Sequence, residues 1–260
     1  SIYSLLVDDR GAVWVGHFQA GLDYSLYQNG LFRTYAYLPQ FNSANLSIRS
    51  FVNRGPEKVI GSRDGLFYIN EATGIVKSFV KPVLTSDLIL TICFYEGEYY
   101  IGTYGGGMMV LNPQTLSLKY FTQGDTELFQ KGHIFCVKPD NRGNLWIGTS
   151  QGLFCYNGQT KQIKNFTSTN SQLPEGNVYE VSFDSTGKGW IATETGMCIY
   201  DPASQSLRSN VFPEGFVHKD KVRTIYEDAE HNLYFIREKG SLFTSTLTMD
   251  HFFLRFPITR

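Results

Sequence analysis

The sequence predicts an all-β fold built from six four-stranded units, and three observations carry that prediction. A motif of one large residue and two glycines recurs at Trp14, Val59, Tyr100, Trp146, Trp190 and Tyr234, in steps of 45, 41, 46, 44 and 44 residues. Each period holds four short apolar or aromatic runs; in the fourth copy these are HIFCVKP, NLWIGT, GLFCYN and KQIKNFT, parted by turns at DNRG, SQG and NGQT. No run has the 3.6-residue periodicity that an ankyrin, TPR or HEAT array requires. A fixed period near 44 marks repeated supersecondary units, and four strands in about 40 to 50 residues make one blade of a β-propeller. The expectation is a single propeller domain over residues 1–260, with blades at about 1–43, 44–85, 86–130, 131–174, 175–218 and 219–260.

The elements follow in order along each copy. Copy 1 starts on its first strand (IYSLLVD) and copy 6 ends on its fourth (FFLRFP), so no strand is left over to complete a blade shared between the two ends. The turn after the first strand, Asp9-Arg10-Gly11 or Asn141-Arg142-Gly143, has tight-hairpin composition: an Asx side chain caps the backbone and glycine takes positive φ. Two residues beyond the aromatic stand Gly16, Gly61, Gly102, Gly148 or Ala192, and a small residue there lets the neighbouring blade approach while the ring fills the gap. Burying one such ring removes roughly 150 to 250 Å² from water, worth about 4 to 6 kcal/mol. The second glycine, at Gly21, Gly65, Gly107, Gly152, Gly196 and Gly240, opens the third strand after a loop of three or four residues. TYGGGM at 103–108 is not a phosphate loop, since no helix follows it and no GK[ST] is present.

Composition bounds the function. At 42% hydrophobic and 15% aromatic the chain buries a sizeable core, and a net charge of -1 provides no basic field for nucleic acid. The sequence has no run of 18 apolar residues and no basic-then-apolar leader, so a soluble chain, mature or excised, is expected. Cys93, Cys136, Cys155 and Cys198 show no CxxC pairing and sit in apolar runs as small hydrophobes.

The pattern of an apolar strand, D-x-x-G-x-[LI]-W-I-G-T, two or three loop residues and G-L-x-x-[YF]-[ND] resembles the two-component regulator propeller repeat. The likeness runs over essentially the whole chain, strongest in copies 4 and 1. It is weakest in copy 2, where Val59 replaces the tryptophan, and copy 6, where Tyr234-Phe235-Ile236 stands for W-I-G. It implies the periplasmic sensor region of a hybrid two-component system of Bacteroides-type gut bacteria. There, two seven-bladed propellers precede a β-sandwich, a membrane helix and a histidine kinase fused to a response regulator and DNA-binding domain. Such receptors sense oligosaccharides released from glycans. By this resemblance the chain is part of one propeller, with a blade missing. Its expected partners are an oligosaccharide, shared with another propeller, and a second receptor copy in a homodimer, with membrane attachment only through C-terminal segments.

No catalytic constellation stands out. The first strands present two alternating rows, Ser4, Ser50, Thr91, Cys136, Glu180, Thr224 and Tyr3, Arg49, Leu90, Phe135, Tyr179, Arg223, which hold one carboxylate, Glu180, where a glycosidase needs two or three. Glu227 and Asp184 read as turn or surface groups, and SFDSTGKGW at 182–190 is a near Asp box, a hairpin feature. The histidines His17, His133, His218, His231 and His251 have no metal-ligand spacing, so no metal and no cofactor is expected. What varies between copies is the loop from the second to the third strand: HFQA, SRD, TYGG, TSQ, TET and REK. Such loops gather at one face of a propeller, and the expected ligand-binding set is His17, Arg63, Tyr104, Gln151, Glu194 and Arg237, with Trp14, Gly16, Tyr100, Gly102, Trp146, Gly148 and Trp190 structural. The function expected is non-enzymatic oligosaccharide sensing. A propeller lyase or glycosidase and a protein-interaction scaffold are the alternatives.

Overall fold

A computed structural model of the chain describes residues 2–7, 13–17, 22–25, 32–34, 47–124, 126–209, 221–228, 231–237, 242–248 and 251–255. Among these residues, six antiparallel sheets of four strands each follow one another, every sheet built from strands consecutive in sequence. The first holds β1 (Ile2–Val7), β2 (Val13–His17), β3 (Leu22–Ser25) and β4 (Phe32–Thr34). The second holds β5 (Ile48–Arg54), β6 (Glu57–Ser62), β7 (Leu66–Asn70) and β8 (Ile75–Phe79). In the third are β9 (Ile89–Tyr95), β10 (Glu98–Thr103), β11 (Met108–Asn112) and β12 (Ser117–Tyr120), followed by helix α1 (Thr126–Lys131). The fourth has β13 (Ile134–Pro139), β14 (Asn144–Thr149), β15 (Gly152–Asn157) and β16 (Ile163–Phe166). The fifth has β17 (Val178–Phe183), β18 (Gly189–Thr193), β19 (Gly196–Asp201) and β20 (Ser206–Arg208), and the last β21 (Val222–Glu227), β22 (Asn232–Arg237), β23 (Leu242–Thr248) and β24 (His251–Arg255). The order within each is first to fourth, the up-and-down meander of a propeller blade. The chain divides into two compact units, Ser1–Ile134 and Phe135–Arg260.

The helix has no counterpart in the sequence reading. At six residues α1 is too short to show a period. Its Leu128 and Phe129 are buried, and the Phe129 ring meets Phe121 edge-on at 5.0 Å.

Close approach between blades is visible where the small residues stand. A Cβ on Gly148 would lie 2.5 Å from Cys136 Sγ and 2.7 Å from the Val178 carbonyl oxygen, which begins the first strand of the next blade. Ala192 is fully buried in one cluster with Val222, the equivalent residue one blade further on. The rings fill the adjoining space: Trp146 lies 4.5 Å from Tyr200 and 5.8 Å from Phe183, both on the next blade, and stacks on Phe166 of its own at 5.8 Å. Burial lifts the thiol of Cys155 to about 12 and raises those of Cys136 and Cys198 as well, so these cysteines behave as apolar side chains.

The hairpin before the aromatic shows one difference from expectation. Gly143 takes φ of 80° as expected, but the capping carboxylate is Asp140, one residue before Asn141. Asp140 accepts bonds from the Arg142 and Asn144 amides, both at 2.8 Å, and from the Trp146 indole Nε1–H at 2.9 Å. Asp140 stands just beyond the end of β13, six positions before the ring whose indole it accepts. Asp184 repeats the arrangement, 2.8 Å from Trp190 Nε1 and 3.0 Å from the Lys188 amide, and Asp228 does so with the Tyr234 hydroxyl at 2.9 Å. The Asp-box-like segment is thus a hairpin lock. Glu227 ties blades instead, accepting the Ser185 amide and hydroxyl, both at 3.0 Å, from the preceding hairpin.

Candidate functional site

The end of the second strand is pinned by a buried hydroxyl in the second to fifth sheets. Ser62, Thr103, Thr149 and Thr193 donate their hydroxyls to the carbonyls of Gly65, Gly107, Gly152 and Gly196 at 2.8 to 3.1 Å, holding the loop to the third strand in a fixed arc. Gly152 at φ 119° shows why glycine closes that arc: an L side chain would be strained there, and its Cβ would lie 2.5 Å from the Phe166 carbonyl oxygen. The next amide turns back to the start of the first strand, as Arg63 N to Ser47 O at 3.0 Å, Tyr104 N to Leu88 O at 2.9 Å and Glu194 N to Asn177 O at 2.9 Å. Loop and strand start therefore share one end of the blade.

Ladder register places the expected ligand-binding residues on three successive positions. His17 pairs with Ile2 and Arg237 with Val222, the rung held elsewhere by Ser62, Thr103 and Thr193. Arg63, Tyr104 and Glu194 come one residue later, and Gln151 two residues after the pinned Thr149. Loops of unequal length hide this offset from a sequence alignment. Arg63 and Gln151 are exposed, whereas the side chains of His17 and Arg237 lie outside the described residues.

Beside these loops five of the first strands, β1, β5, β9, β17 and β21, carry a bulge. Register shifts fall between Ile2 and Ser4, Ile48 and Ser50, Ile89 and Thr91, Val178 and Glu180, and Val222 and Thr224. The residues displaced from the ladder are thus Tyr3, Arg49, Leu90, Tyr179 and Arg223, members of one of the two rows seen in the sequence. A bulge re-aims its side chain and bends the strand, a device common beside functional sites.

In the unit ending at Ile134, Tyr104 is half exposed and stacks on the His133 ring at 4.0 Å between centroids. In the other unit the displaced Tyr179 anchors a larger group. Its ring meets Phe135 edge-on at 5.1 Å and lies under the Arg223 guanidinium at 4.4 Å and the Lys221 ammonium at 5.0 Å. Asn177 donates from Nδ2 to the Tyr179 hydroxyl at 3.1 Å and to Glu194 Oε2 at 3.0 Å, while Lys221 Nζ sits 3.9 Å from Glu194 Oε1. One aromatic platform, two cations, an amide and a carboxylate thus converge where the loop and the bulge meet. Next to them Glu180, four-fifths buried, faces Lys138 at 3.5 Å; burial pushes its carboxyl above the usual range, and Lys138 offsets part of that.

Asn177 and Lys221 were missed in the sequence. Both immediately precede a first strand, where turn composition hides function; the bond from the Glu194 amide to the Asn177 carbonyl sets Asn177 beside Glu194, and Lys221 comes from the start of the next blade.

Comparison with known proteins bears out the resemblance. Residues 129–151 match the two component regulator propeller. The chain carries that repeat. Its fold is similar to the extracellular domain of a hybrid two-component system from B. thetaiotaomicron, at TM-score 0.74 and 24% identity over 95% of this chain and 34% of that one. It is also similar to such a domain from a second system of that organism, at TM-score 0.65 and 18% identity, over 93% and 37% of the two chains. The structure of YCF48 bound to D1 peptide is similar at TM-score 0.71 and 12% identity, over 98% of this chain and 80% of that one. The chain thus spans about a third of the length of the two extracellular domains. No curated protein matches it in sequence. The fold class expected from the 44-residue period, an all-β propeller, is the one found.

Proposed function

We propose that this chain is the ligand-sensing part of a two-component sensor, exposed to the periplasm, and that it takes part in binding an oligosaccharide without transforming it. The observation that carries this reading is the cluster of Asn177, Tyr179, Glu194, Lys221 and Arg223. A tyrosine ring suits the apolar face of a pyranose, and the amide, carboxylate and guanidinium around it suit hydroxyl groups. Tyr104 and Arg63 supply similar chemistry within the other unit. The repeat and the kinship of fold with extracellular sensor domains support the signalling role. In a full-length receptor, a homodimer fused to a kinase would relay the bound state.

Calorimetry of the chain against an oligosaccharide panel tests the reading. Tyr179→Ala and Arg223→Ala should each weaken the best ligand about tenfold, the loss of one strong contact, with smaller losses for Arg63→Ala and Tyr104→Ala. Unchanged affinity in all four variants would remove this face from the site. One observation favours an enzyme instead, the raised carboxyl of Glu180. Glycan turnover by the pure chain that disappears in Glu180→Gln would establish that alternative.

A further inference from the structure

We propose that a cleft between the fourth strands of blades 4 and 5 binds an acidic saccharide, at a site separate from the Tyr179 cluster. The cleft has a volume of ≈ 470 Å³ and runs between β16 and β20. That volume falls within the usual range for small-ligand sites.

Its walls are made of hydrogen-bonding side chains. Asn165 and Gln205 contribute amides that both donate and accept, while the Asn170 amide and the Gln172 amide oxygen hold the wall's own main chain; Lys164 and Arg208 contribute positive charge, and among the described residues no carboxylate lines the cleft. Arg208 Nη2 also lies 3.4 Å from an Asp201 carboxylate oxygen outside the lining. Lys164 is aligned along the cleft by the Gln205 carbonyl at 3.5 Å and by the Phe166 ring, 4.7 Å away. Amides flanked by two cations match a polyol that carries a carboxylate or sulfate.

Other occupants fit less well. An added peptide strand needs open main-chain edges, but the segment 167–172 folds back over them. Asn170 takes the Thr167 amide at 2.8 Å and donates to the Asn165 carbonyl at 3.3 Å, while Gln172 takes the Ser209 amide just beyond β20 at 3.2 Å. Ser171 fixes that segment by donating to the Thr167 carbonyl at 2.6 Å, and Leu173 buries its end. A nucleotide base needs an aromatic face, and the one ring in the lining, Phe166, is buried and stacked on Trp146.

Calorimetry with digalacturonic acid, a sulfated disaccharide and a neutral disaccharide provides the test, each with wild type, Lys164→Gln/Arg208→Gln and Arg223→Ala. The proposal expects at least one acidic probe to bind, about tenfold or more weaker to the double variant, unchanged by Arg223→Ala and weakened by added salt. Binding of the uronide alone or of the sulfated sugar alone identifies which anion the cations select. A neutral disaccharide that binds as well as the acidic ones, acidic binding indifferent to the double substitution, or no binding of either acidic probe would each overturn it. Equal urea midpoints for the variants and wild type confirm that folding is intact.

Discussion

Blades 2 and 3 secure their aromatic residues differently from blades 4 to 6. In the latter, each hairpin keeps its own carboxylate: Asp140, Asp184 and Asp228 hold the ring six residues on within the same blade. Blades 2 and 3 have two-residue turns, which pair Arg54 with Glu57 and Tyr95 with Glu98 and leave no place for that aspartate. One acid serves both blades instead. Glu57 accepts from the Tyr68 hydroxyl of its own sheet at 2.8 Å and from the Tyr99 hydroxyl of the next at 2.9 Å, and Arg54 lies over the Phe94 ring at 3.3 Å. Burial, with the negative Glu57 beside them, raises both phenols. A repeat can thus satisfy the polar groups of its aromatic side chains within one blade, as at Trp146, Trp190 and Tyr234, or by linking neighbours, as at Tyr68 and Tyr99, and the two go with different hairpin lengths.

That contrast can be broken at several points. Trp146→Ala should cost about 3–5 kcal/mol in urea unfolding, because a wholly buried ring touching two blades is lost, whereas Val59→Ala at the equivalent place should cost less than half as much. Glu57→Ala should cost about 2–3 kcal/mol by stranding two buried hydroxyls in two blades. Its effect should also couple to Tyr99→Phe by about 0.5–3 kcal/mol in a double-mutant cycle, with a cycle value near zero refuting the link. Asp140→Ala should cost about 1–2 kcal/mol and show no such coupling to residues of the next blade.

Acid sharpens the same comparison through Glu180. Its folded carboxyl holds its proton more tightly than the unfolded one, so ionisation opposes folding at neutral pH, and that opposition is relieved as pH falls through the raised value. The urea midpoint of Glu180→Gln relative to wild type should therefore be higher at pH 8 than at pH 4. A difference that grows toward acid would contradict the assigned direction. The smallest effect is expected at Lys119→Ala, which removes an exposed pair with Glu98 at 2.8 Å and should change stability by under about 1 kcal/mol.

Much of the blade was legible because strand alternation, the Asx-Gly turn and the paired glycines are local signals. The four runs of copy 4 coincide with β13 to β16 within two residues or so. Copy 6 looked divergent, yet Tyr234 finds Asp228 as Trp146 finds Asp140, since a phenol donates as an indole does. The candidate site was legible only in part. Glu194 and Tyr104 stood out as loop residues, but the partners of Glu194, Asn177 and Lys221, depend on the backbone bond that closes the sheet end and on the approach of another blade. Neither leaves a trace in spacing. The cleft beside β16 and β20 was invisible for the same reason: its walls come from segments about 40 residues apart whose polar composition reads as ordinary surface.

The bulge in the first strand has an evolutionary consequence. A residue set outside the ladder is not part of the main-chain pairing with the second strand, so its exchange leaves the pairing that folds the blade in place. These positions hold two tyrosines, Tyr3 and Tyr179, two arginines, Arg49 and Arg223, and Leu90, so aromatic, cationic and apolar side chains all stand there. Duplicated blades could then diversify what they recognise one position at a time while their scaffold stays under uniform selection.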